Sequence, residues 1–66
     1  MTMLKVIEVL AESNKSWEDA AQVAVTTASK TVRHVKSINV KNLQATVEKG
    51  KITKYRLNAK IAFLLE

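Results

Sequence analysis

Cysteine and proline are absent from this chain, glycine and histidine each occur once, and the aromatic residues are one Trp, one Tyr and one Phe. Without cysteine there is no disulfide framework, and with a single histidine there is no Cys/His zinc pattern. The near-absence of glycine and proline argues against a loop-rich fold. So few aromatics leave little for the stacking platforms that hold single-stranded nucleic acid. No apolar run approaches the ~18 residues of a membrane span. Lys5 and Glu8 interrupt the first ten residues where a secretory signal needs unbroken apolar sequence. A cytoplasmic protein is the expectation.

What is present is regular structure in a short chain. A single domain over residues 1–66 is expected, with 47% hydrophobic residues, too many for a disordered chain. A domain this small buries only about 60% of its unfolded surface and usually needs a staple. With disulfide and zinc excluded, oligomerisation is the staple left. Eleven Lys and Arg against six Asp and Glu give a net charge of +5. That balance suits phosphorylated ligands, nucleic acid or anionic surfaces, but the charges are scattered and form no basic block.

The clearest pattern lies in Ile52–Leu65. Tyr55, Leu57, Ala59, Ile61, Phe63 and Leu65 alternate with Arg56, Asn58 and Lys60, which predicts a strand with one buried and one polar face. The polar face turns apolar at Ala62 and Leu64, as for a central strand or a subunit contact. Fourteen residues would span roughly 48 Å, so the strand must curve or reach beyond its own core. A first strand is expected over Met3–Ala11, with Met3, Ile7, Val9 and Ala11 on one side and Leu4, Val6 and Leu10 on the other. Ser16 is a helix N-cap, with Glu18 and Asp19 in the favoured first turn. Helical spacing then runs from Trp17 to Val35, with Trp17, Ala21, Ala24, Ala28, Val32 and Val35 as the stripe and Ala20, Val25 and Thr31 at its margins. Lys30, Arg33, His34 and Lys36 are expected in the last turn, where cations complement the helix dipole. In Ser37–Val47 the alternation slips, which predicts a bulge near Lys41 and Asn42. Glu48-Lys49-Gly50-Lys51 reads as a hairpin turn, with Gly50 at positive φ.

The order is therefore β-α-β-β. The helical crossover lays the first two strands parallel and the hairpin places the third between them, giving an α+β fold with a three-stranded antiparallel sheet wrapped around one helix. The face carrying Arg56, Asn58 and Lys60 is too polar for a core but suits a cavity between subunits. No nucleophile with a neighbouring base, paired carboxylates at a cleft or Gly-rich phosphate loop points to an enzyme. Glu12, Glu18 and Asp19 are a weak candidate cation site without EF-hand spacing. His34 reads as dipole complementation rather than a metal ligand, and Trp17 as a core or interface anchor.

Three segments carry a family resemblance: Ser16-Trp17-Glu18-Asp19-Ala20-Ala21 opening the helix, Lys30-Thr31-Val32-Arg33 closing it, and Gly50-Lys51-Ile52…Tyr55-Arg56…Phe63 in the last strand. Together they resemble the dodecin family over essentially the whole chain. The resemblance implies a small, non-catalytic β-α-β-β protein that assembles as a hollow dodecamer and stores or buffers flavin, riboflavin or FMN, in stacked pairs at two-fold interfaces. It also implies two departures. The family's stacking tryptophan after the helix corresponds to Ser37, and its glutamine in the last strand, which bonds the flavin's pyrimidine edge, corresponds to Arg56. Serine has no π surface, and arginine donates without accepting. Weak flavin binding at Ser37, Arg56 and Gln44 is the expectation, because dodecins similarly lacking that tryptophan are thought to have lost tight flavin binding. Alternatives are a flavin-free shell holding another anionic ligand on Arg56, or a cation, and, with less support, a nucleic-acid-binding protein. Twelve copies would carry about +60, twelve times the +5 of one chain, and bound anions would relieve that repulsion.

Overall fold

The computed structural model describes residues 2–65. Strand β1 (Leu4–Ser13) is followed by helix α1 (Trp17–Ala28), then by strands β2 (Val35–Glu48) and β3 (Lys51–Leu64). The sheet order is β1-β3-β2, and β3 runs antiparallel to both neighbours, so β1 and β2 are parallel. The long strand is thus central, as its alternation requires. The molecule measures 52 × 20 × 14 Å, close to the length expected for a nearly straight fourteen-residue strand.

One face of the sheet carries the core. Leu57, Ala59 and Ile61 of β3 are buried there beneath Ala20, Ala24 and Ala28 of α1, with Ala11 of β1 beside them. Alanines at the contact let the helix axis approach the sheet closely. The two large side chains beneath, Leu57 and Ile61, are 1% and 0% exposed and each contributes about 1.5–3 kcal/mol by leaving water. Ala20, expected at the margin of the stripe, is its most buried member, while Ala21 is half-buried. Met3, expected to open the first strand, precedes it and is exposed.

The helix is shorter than its spacing predicts. Ser16 caps it as expected, its Oγ accepting from the Asp19 backbone N–H at 3.0 Å. It ends at Ala28, however, not Val35. Tight turns follow, with Lys30 N–H donating to Thr27 O and both Thr31 and Val32 N–H donating to Ala28 O. The chain then reverses through His34 at φ 57. Val32 and Val35 still pack on the core, which explains their helical spacing, but Val35 does so from a strand opposite Phe63. Lys30, Arg33, His34 and Lys36 therefore lie beyond the helix, and its last turn holds no basic residue. The helix spans roughly 18 Å, well under half the length of β2 and β3.

β2 shifts register between Val40 and Asn42, at the expected bulge, and also between Val35 and Ser37 and between Thr46 and Val47. The hairpin closes with Lys49 at φ 51 and Gly50 at φ 77, the two positive values that suit the twist of a two-residue hairpin turn. β1 extends to Ser13, two residues past the expected end. Ser13 is buried and its Oγ donates to Asp19 Oδ2 at 2.6 Å, tying the end of β1 to the first helical turn.

Candidate functional site

The second face of the sheet bears no helix. Cross-strand pairing orders it into rows. Glu12, Arg56 and Gln44 form one row, followed by Leu10, Asn58 and Asn42, then Glu8, Lys60 and Asn39, then Val6, Ala62 and Ser37, with Leu4 opposite Leu64 at the end. Two of these rows repeat an acid, a base and a carboxamide. Leu4, Val6 and Leu10 are 52%, 53% and 58% exposed, apolar positions along β1 interrupted on this face by Glu8.

All three site residues expected from the sequence lie on this face. Gln44 and Arg56 are direct neighbours. Ser37 is not with them. It pairs with Ala62, six residues along β3 from Arg56, or roughly 20 Å at strand rise. Gln44 is fixed from behind, because Trp17 Nε1 donates to its backbone carbonyl at 2.9 Å. The indole lies edge-on to Tyr55, centroids 4.8 Å apart at 75°, so Trp17 anchors the helix start to the sheet. Tyr55 and Phe63 share the core-side parity of β3, which leaves the helix-free face without aromatics among the described residues.

Arg56 has a partner that sequence reasoning missed. Its Nε donates to Glu12 Oε2 at 2.7 Å, with the two side chains 37% and 36% exposed. The Glu12 carboxyl is held below its ordinary value of 4.5 chiefly by this hydrogen bond, against the cost of desolvation, with the charges of Arg56 and Lys54 adding to the effect. The signal was available in the sequence. Once the strands are antiparallel, Glu8 and Glu12 on one match Lys60 and Arg56 on the other at the same four-residue spacing.

The weak candidate cation site does not form among the described residues. Glu12 is committed to Arg56 on one face, while Asp19 is bonded to Ser13 where β1 meets α1. No three His, Asp or Glu side chains cluster as metal ligands among the described residues. His34 sits in the turn before β2, not at the helix end, and its carbonyl accepts from Leu64 N–H at 3.1 Å. Among the described residues no helix is long and apolar enough to cross a membrane.

The dodecin family model matches residues 3–66, and the chain belongs to the dodecin family. A dodecin from Thermus thermophilus is 31% identical over 62 residues, covering 94% of this chain and 90% of its own. The dodecin structure from Streptomyces coelicolor superposes with a TM-score of 0.94 at 29% identity, covering 98% of this chain and 93% of that one. A structure described as a calcium-chelating antigen, calcium dodecin, from Mycobacterium tuberculosis superposes with a TM-score of 0.84 at 32% identity, covering 97% and 91%.

Proposed function

We propose that this chain is a non-enzymatic dodecin that assembles with its copies into a hollow dodecamer and holds riboflavin or FMN weakly where their helix-free faces meet. The observation that carries the reading is the separation of Ser37 from the Arg56–Gln44 pair on one otherwise unpartnered face. A two-fold axis crossing that face reverses the strand direction and sets the Ser37 end of one copy towards the Arg56 end of the next, so the site is complete only between copies. Leu4, Val6 and Leu10 supply the apolar cover such a contact needs. The ring then rests on aliphatic surface instead of an indole, which is why the binding is weak.

The anionic-ligand reading loses support because Glu12 already neutralises Arg56. A cation finds no grouped carboxylates within one copy among the described residues. Nucleic acid finds no stacking surface on this face. The test is a fluorescence titration of riboflavin and FMN with the purified protein. Quenching with micromolar affinity is expected, and Ser37→Trp should tighten it about three- to tenfold through added stacking of about 0.5–1.5 kcal/mol. Absence of quenching in both proteins would remove flavin as the ligand.

A further inference from the structure

The Glu12–Arg56 pair does more than neutralise a charge. Arg56 uses Nε towards Glu12, and its two Nη groups have no hydrogen-bond partner among the described residues. On the carboxylate, Oε2 is used and Oε1 has none. The pair therefore presents a free acceptor beside free donors, with no net charge, from side chains about one-third exposed. A carboxamide offers the same combination, one acceptor and one donor on a neutral group. Gln44, in the same row, extends it with an amide of its own.

Resting on the flavin reading above, we infer that Glu12 is a ligand-binding residue, and that Glu12 and Arg56 act jointly as a neutral substitute for a carboxamide that recognises an imide edge. The complement of an acceptor beside donors is an N–H beside carbonyls. On the isoalloxazine ring only the N3–H edge, flanked by the C2 and C4 carbonyls, has that arrangement. Glu12 Oε1 accepts from N3–H, and an Arg56 Nη donates to an adjacent carbonyl oxygen. Without Glu12, Arg56 offers donors alone, which cannot satisfy N3–H. The ion pair is thus a specificity device for an uncharged ring edge, not an anion trap.

The experiment is a double-mutant cycle with one deletion on each side of the contact. Riboflavin and 3-methylriboflavin, which lacks the N3–H, are titrated by fluorescence quenching against the wild-type protein and Glu12→Ala, with native mass recorded for both. In the wild type, 3-methylriboflavin is expected to bind about tenfold more weakly than riboflavin. That difference should shrink to within about twofold in Glu12→Ala, which itself should lose about tenfold for riboflavin, about 1.4 kcal/mol. Equal binding of the two flavins by the wild type overturns the inference while leaving flavin as the ligand. So does an N3-methyl penalty that persists undiminished in Glu12→Ala. A wild type that binds neither flavin overturns the functional reading and this inference together.

Discussion

Arg56 illustrates how the partner of a side chain sets its chemistry. Alone it is a permanently charged donor suited to phosphate or carboxylate. Beside Glu12 it becomes half of a neutral pair. The pair also makes the protein sensitive to acid in a defined direction. Because the Glu12 carboxyl is held below its ordinary value of 4.5 in the folded chain, its contribution to stability is present above that value and is lost as the pH falls through the lowered one. The contribution is small because the groups are solvated. The thermal midpoint of the wild type should therefore exceed that of Glu12→Gln at neutral pH, and the gap should close as the pH drops below the ordinary carboxylate range. A gap that widens on acidification would contradict the pairing.

At the scale of elements, the single helix covers one face of the sheet and leaves the other to the proposed ligand and partners. Its close seating depends on Ala20, Ala24 and Ala28. Ala24→Leu should lift the helix from Leu57 and Ile61 and cost about 1–3 kcal/mol by overpacking, read as a lower urea midpoint at fixed protein concentration. No change in midpoint would mean that the helix–sheet spacing is not set by these alanines. The strands were legible in the sequence because alternation in β3 has no competing period, and the bulge at Val40/Asn42 because parity there visibly slips. The helix end was not. Val32 and Val35 keep helical spacing by packing on the same core from a turn and a strand, and no glycine or proline marks the boundary at Ala28. Of the candidate site, only the shared face of its residues was legible. Ser37, Gln44 and Arg56 share the predicted face, but the Glu12 partnership required strand register, and the 20 Å gap between Ser37 and Arg56 required knowing which residues pair.

For the whole molecule, several observations converge on assembly. A 66-residue chain without a disulfide exposes Leu4, Val6 and Leu10 on one face, and Leu43, Val47 and Ile52 along the hairpin that runs past the helix. Surfaces of this kind are ordinarily covered. The proposed dodecamer would cover them, and the divided candidate site gives a reason for it. The measurement that tests this account most directly is a native mass with and without riboflavin. The account predicts about 89 kDa, twelve times the 7.4 kDa chain, with riboflavin retained on the assembled species and absent from any monomer. A monomer that binds riboflavin with the same affinity would contradict the divided site, and a dimer as the largest species would contradict the dodecamer.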